Sequence, residues 1–361
     1  KTLSVDYKMH LAFSGAVSDH SFILRCIPTA RGCQTVTSRS LSLTPDVPLS
    51  ASRDTFGNFV YRGQYYAPHT EFAFHVRATV LVHSADGSRE PCPPFYRYPT
   101  RLTACTDGMR SFLRGAVRGT DFERAVTERK FARTEIHAFS DLLCRAVNGR
   151  ICYTSGETTV KTTAAEAFCL QKGVCQDYAH LFVSLAREAG IAARYVCGMS
   201  AGEGATHAWA EYFVPDDDGS GGDGRSVQGA WFGTDPTRAR RVDDDYVILA
   251  VGRDFTDSQI DRGVFCGAVS QTQTVLVKTR ELPAQGGIGE YSGHSVSGTA
   301  DMAGNSAGEG SENDSDEYEA ENIFFVPQEA RWSEIAKPAH VISIFFNCLE
   351  PNIEVEQLAT R

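Results

Sequence analysis

The chain has 361 residues, 42% hydrophobic and 22% charged, with a formal net charge of −10 at pH 7. Those values suit a soluble globular protein with one large domain or two smaller ones, and no apolar run is long enough to cross a bilayer. Residues 281–330 hold 11 of the 45 acids and no Lys or Arg, leaving 34 acids against 35 bases elsewhere, so the acidity belongs to one segment and no basic cluster suggests a nucleic-acid surface.

Residues 1–100 read as β structure. Leu3, Val5, Tyr7 and Met9 alternate with polar residues, and Phe72 to Val82 is a long strand-like run. Short apolar runs broken at Pro28, Gly32 and Asp54-Thr55-Phe56-Gly57-Asn58 predict an N-terminal β-sandwich-like domain. The opening residues alternate rather than forming an apolar leader core, so the expected location is cytoplasmic. Pro91, Pro93, Pro94 and Pro99 mark a boundary near residue 100.

A second domain over 101–283 mixes helices and strands, giving an α+β fold class. Ile136, Phe139, Leu143 and Val147 recur near the helical period, and Thr162/Thr163 ahead of Glu166 can cap a further helix. After Gly173, the residues Cys175, Ala179, Phe182, Ala186 and Ala189 step by 4, 3, 4 and 3, one face of a helix that Gly190 would stop. Strands are expected at 191–197, 207–214, 230–234 and 273–279. Residues 284–322, rich in Gly, Ser and acids, read as an acidic loop or disordered segment. Residues 323–361 contain two apolar runs, at 323–326 and 341–346, able to dock as strands.

Eleven cysteines, an odd number, are scattered singly without a CxxC pair. Cys169 and Cys175 are too widely spaced for a zinc knuckle, and no calcium-loop pattern occurs. No metal or other cofactor is expected. Most of the thiols are expected to be small buried hydrophobes.

Three strings carry chemistry: Gly173-Val174-Cys175-Gln176-Asp177-Tyr178-Ala179-His180, Thr206-His207-Ala208-Trp209-Ala210-Glu211 and Gly233-Thr234-Asp235-Pro236. Cys175 falls at a helix N-terminus, where dipole and amides favour a thiolate; taken alone it reads more readily as a buried core residue. His180 is close in sequence, but five helical residues place it about 140° around from Cys175, and Asp177 lies about 200° away. His207 sits on a strand sharing a face with Trp209, Glu211 and Phe213. A hairpin symmetric about residue 221 would set His207 opposite Asp235, although Asp-Pro alone also reads as a turn.

These strings, with Thr162-Thr163, Asp235-Pro236-Thr237, Val251-Gly252-Arg253-Asp254-Phe255 and Arg262-Gly263, resemble the signature of bacterial transglutaminase-like cysteine enzymes. Residues 1–100, including Asp54 to Asn58, are similar to that family's N-terminal β domain, so the resemblance spans roughly 1–283. It implies a papain/transglutaminase-like core, with a Cys at a helix N-terminus packed on an antiparallel sheet. It also implies Cys175 as nucleophile, His207 as general base and later acid, and Asp235 as the group orienting the imidazole. Gln171, Gln176 and Tyr153 are candidates for a second oxyanion donor, and Trp209 reads as a packing residue. The insert between Phe213 and Trp231 and the chain beyond 283 depart from the family pattern. The expected activity is acyl transfer on an amide or peptide bond through a thioester, with hydrolysis favoured over amine crosslinking. The expected partner is a peptide or amide substrate, with neither nucleic acid nor membrane. The alternatives are a catalytically silent peptide-binding scaffold and a redox sensor pairing Cys175 with Cys169.

Overall fold

The long alternation at the N-terminus becomes one 23-residue strand, β1 (Thr2–Leu24), with Leu3, Val5, Tyr7, Met9 and Leu11 pointing inward. The structure, a computed structural model, describes residues 1–83, 87–202, 204–216 and 226–283, plus the backbone of strands Phe324–Val326, Val341–Phe345 and Glu356–Gln357. The acidic segment 284–322 lies outside the described residues. After β1 come β2 (Gln34–Thr44), β3 (Ser50–Arg53), β4 (Phe59–Tyr65), β5 (His69–Val82) and the short β6 (Ser88–Arg89).

Helices follow: α1 (Asp107–Val117), α2 (Phe122–Glu128) and α3 (Arg133–Arg150). Then β7 (Cys152–Tyr153), α4 (Ala164–Leu170) and β8 (Lys172–Gly173) lead into α5 (Cys175–Glu188). Thr163 caps α4 as its sequence suggests. Its hydroxyl accepts from the Glu166 amide at 3.2 Å, and the Glu166 carboxylate accepts from the Thr163 amide at 2.7 Å. Gly190, at φ +96°, follows the end of α5, and a Cβ there would come within 2.5 Å of the Arg129 carbonyl oxygen.

The remaining chain forms β9 (Ala193–Ser200), β10 (Thr206–Pro215), β11 (Gly229–Asp235), β12 (Arg240–Arg241), β13 (Tyr246–Gly252), α6 (Phe255–Ser258), β14 (Asp261–Cys266) and β15 (Gln271–Glu281). Strands β12-β11-β10-β9-β13 form an antiparallel sheet in that order. The first half of β1 pairs with β5 and β15, and its far end pairs with β4 and β14. The β region is thus completed by strands from beyond the core. Strands Phe324–Val326 and Val341–Phe345 extend it by pairing with β15 and β14. Residues 1–282 belong to one compact unit, in which Val5, Tyr7 and Phe74 share an apolar cluster with Cys175, Ala179, Tyr195 and Val247.

The sequence suggests that α5 buries one stripe. Every residue from Cys175 to Arg187 is buried. Cys175 and Ala179 face the cluster of the β region, while Leu181, Phe182 and Leu185 join a second cluster with Phe139 and Leu143 of α3. Two of its polar residues tolerate this by bonding to backbone groups outside the helix. The His180 Nε2 accepts from the Phe255 amide at 3.1 Å, and Arg187 donates to the carbonyls of Tyr96, Ala193 and Arg253. The Val251-to-Phe255 string therefore anchors the back of the helix.

Candidate active site

The approach to α5 is built around a close contact. Asp177, in the first turn, reaches back so that its Oδ2 accepts from the Val174 amide at 2.9 Å and the Thr158 hydroxyl at 2.7 Å. A Cβ on Gly173 would lie 2.6 Å from that oxygen, so only glycine leaves the carboxylate its place. Val174 has an extended N-cap conformation and Cys175 is the first helical residue. Its thiol therefore sits at the positive end of the helix dipole. The Tyr178 hydroxyl bonds the Ile151 carbonyl at 2.6 Å and ties the first turns to the end of α3.

His207 comes from β10, where it pairs with Gly198 of β9. Its Nε2 lies 2.8 Å from Asp235 Oδ2 at the end of β11. The register differs from hairpin symmetry about 221: Ala210 pairs with Thr234 and Glu211 with Gly233, so Trp209 rather than His207 continues to the position opposite Asp235. The offset is two residues. An even offset preserves the side of the sheet, so His207 and Asp235 still meet along a diagonal.

Asp235 also makes the turn that its sequence suggests. Oδ1 accepts from the amides of Thr237 and Arg238 at 3.0 and 3.3 Å, while Oδ2 takes His207 and the Tyr246 hydroxyl at 2.7 Å. Burial would raise this carboxyl, but the His207 bond and charge, the Tyr246 bond and the Arg238 cation together hold it below its ordinary value. Burial would likewise lower His207. The Cys175 thiolate and the Asp235 carboxylate, each hydrogen-bonded to the ring, outweigh burial and raise it to about 10. With Nε2 turned to Asp235, Nδ1 is the nitrogen left for the thiol.

The three side chains are almost wholly covered, with Cys175 1%, His207 3% and Asp235 0% exposed. Burial pushes the Cys33 and Cys92 thiols up to about 12 and the Cys144 thiol up to about 11. Trp209 is fully buried, its ring edge-on to Tyr246 at 5.2 Å, which is a packing role. Of the oxyanion candidates, Gln171 and Tyr153 are exposed, and Gln176 is buried with its amide nitrogen 3.5 Å from the Thr159 carbonyl. Cys169 is exposed, and no disulfide joins it to Cys175. Among the described residues no group of three or more His, Cys, Asp or Glu is arranged to hold a metal, and no helix is long and apolar enough to cross a membrane. Tyr246, Arg238 and Arg240 are the site neighbours that sequence reasoning missed; nothing local in 238–246 signals them.

Residues 124–236 match the transglutaminase-like superfamily core, and residues 3–81 match the bacterial transglutaminase-like N-terminal region. Uncharacterized proteins of Mycobacterium tuberculosis and Mycobacterium bovis are 34% identical over 262 residues, 66% of this chain and 78% of theirs. The fold is also that of a candidate cysteine protease from Cytophaga hutchinsonii, at a TM-score of 0.54 and 20% identity, covering 78% of this chain and 92% of that one. The chain belongs to the transglutaminase-like superfamily, carrying its core behind the bacterial N-terminal region.

Proposed function

We propose that this protein is a cysteine-dependent acyl-transfer enzyme acting on amide or peptide bonds. One observation carries the reading: His207 is bonded on one side to Asp235 and on the other to Cys175, and Cys175 stands at a helix N-terminus. The thiolate attacks the carbonyl carbon to form a C–S bond, and the carbonyl electrons move onto oxygen. The Cys175 amide, one of the first-turn N–H groups that helix geometry directs outward, is placed to receive that charge. Collapse of the intermediate breaks the C–N bond, and the His207 imidazolium gives its proton to the departing amine. A second nucleophile, giving its proton to the now neutral imidazole, attacks the thioester carbon; the C–S bond breaks, the acyl product leaves, and the thiolate–imidazolium pair is restored. Asp235 keeps the ring in the required tautomer throughout.

Water is the nucleophile we favour for the second step, since it is present in far greater amount than any amine and needs no site of its own. The test uses protein in which the exposed Cys152 and Cys169 are changed to Ser. Iodoacetamide near pH 6 is expected to label Cys175 selectively, and Cys175→Ala is expected to abolish both that labelling and all turnover of peptide and glutamine amides. Full turnover by Cys175→Ala would leave a peptide-binding scaffold as the better reading. Ammonia release without incorporation of an added amine separates hydrolysis from crosslinking.

A further inference from the structure

Asp235 Oδ2 has two donors, and only one of them is the imidazole. The other is the hydroxyl of Tyr246, from β13, a strand separated from β11 in the sheet by β10 and β9. The tyrosine oxygen itself accepts from Arg238 Nη1 at 2.9 Å and Arg240 Nη2 at 3.3 Å. Arg240 is thereby connected to the triad carboxylate through the phenol, and Arg238 both through the phenol and by its own ion pair, Nε to Oδ2 at 3.7 Å. The turn of residues 235–238 does not need this bond, because its amides are already held by Oδ1.

We infer that Tyr246 is a positioning residue for the Cys175–His207–Asp235 site, fixing the Asp235 carboxylate and drawing charge from the oxygen that faces His207. This rests on the enzyme reading above. Burial and the Asp235 charge both raise Tyr246 well above the ordinary phenol value, so the hydroxyl stays protonated and acts as donor. A donor on a carboxylate oxygen weakens that oxygen's pull on a second donor, and two arginines polarising the phenol strengthen the effect. The titratable and charged groups facing His207 and Asp235 are Cys175 from α5, Tyr246 from β13 and Arg238 from the turn, with Arg240 of β12 reaching Asp235 by way of Tyr246 and Cys144 of α3 bonded to the Asp235 backbone carbonyl. Trp209 packs between, its ring 6.1 Å from His207 and 5.2 Å from Tyr246, and Gly198 leaves the indole its space, since a Cβ there would lie 2.4 Å from the ring.

The experiment measures the rate of Cys175 alkylation by iodoacetamide against pH in the full chain, with Cys152 and Cys169 changed to Ser. Tyr246→Phe removes the phenol donor from Oδ2, leaving it the imidazolium bond and the Arg238 Nε ion pair at 3.7 Å. The limb at which His207 loses its proton is expected to move up by about half a pH unit, while kcat on an amide substrate falls roughly tenfold with KM little changed. Arg240→Gln is expected to move the limb the same way by less, and to add nothing in the Tyr246→Phe background. A limb within about 0.2 pH unit of wild type in folded Tyr246→Phe overturns the inference, as does an Arg240→Gln shift that persists undiminished in the double variant. Should Tyr246→Phe not fold, an unmoved limb in Arg240→Gln alone overturns it. A wild-type profile with one ordinary thiol limb and no histidine limb overturns the enzyme reading instead.

Discussion

Asp235 divides its two oxygens between structure and chemistry, and that division predicts what its amide would do. Four donors converge on the carboxylate: two turn amides on Oδ1, and His207 with Tyr246 on Oδ2. An asparagine supplies one oxygen and an NH2 group, so whichever way it turns, one pair of donors faces another donor. Asp235→Asn is therefore expected to lower kcat/KM by about 10²- to 10⁴-fold. It should also speed loss of the His207 proton, moving the histidine limb of Cys175 alkylation to lower pH. The sign follows from Asp235 charge being one of the causes that raise His207 to about 10. Kinetics within a factor of two or three of wild type would mean that His207 is held by something other than this carboxylate.

At the scale of elements, the first turn of α5 is where backbone and chemistry meet. Gly173→Ala would drive a methyl into Asp177, which must then release the Val174 amide or the Thr158 hydroxyl. A buried carboxylate losing such a bond costs about 1–3 kcal/mol, to be read by urea unfolding, and the Cys175 alkylation rate at pH 6 should fall with it. Unchanged unfolding and alkylation would show that Asp177 does not order the Cys175 turn. Much of this architecture was legible in the sequence because it is local. The Thr163–Glu166 box is a four-residue pattern, and the placing of Cys175 follows from helical steps after Gly173. The facing of His207 and Asp235 needed only the alternation of a strand, which survives a register error of two. What the sequence hid was contact across the sheet. Tyr246 reaches Asp235 from a non-adjacent strand, and α5 is buried on all sides because His180 and Arg187 find carbonyl and amide partners far along the chain. No periodicity encodes such partners.

Across the whole molecule, the β region and the core are joined by an ion cluster as well as by a shared apolar core. Glu90 Oε2 accepts from Arg31 of the β region at 3.0 Å and from Arg194 of β9 at 2.9 Å. Arg194 continues to Glu211 on β10 and lies over Trp231 of β11 at 4.3 Å. Arg31 continues to Asn58, whose amide bonds Val251 twice, so the Asp54-to-Asn58 string acts as a strap onto β13. Burial would raise Glu90, but Arg194 and Arg31 outweigh it and hold the carboxyl at about 2, against an ordinary 4.5. A folded value below the unfolded one means that Glu90 stabilises the protein fully above about pH 4.5, and that this contribution is lost as pH falls towards about 2. Glu90→Gln leaves two buried guanidinium groups without their shared anion. It is expected to cost about 3 kcal/mol at pH 7. The difference between variant and wild type in urea unfolding should shrink steadily below about pH 4.5, because acid makes the wild-type side chain as neutral as the amide. A gap of the same size at pH 7 and pH 3 would assign the loss to packing, and the charge of Glu90 would then have no part in joining the β region to the core.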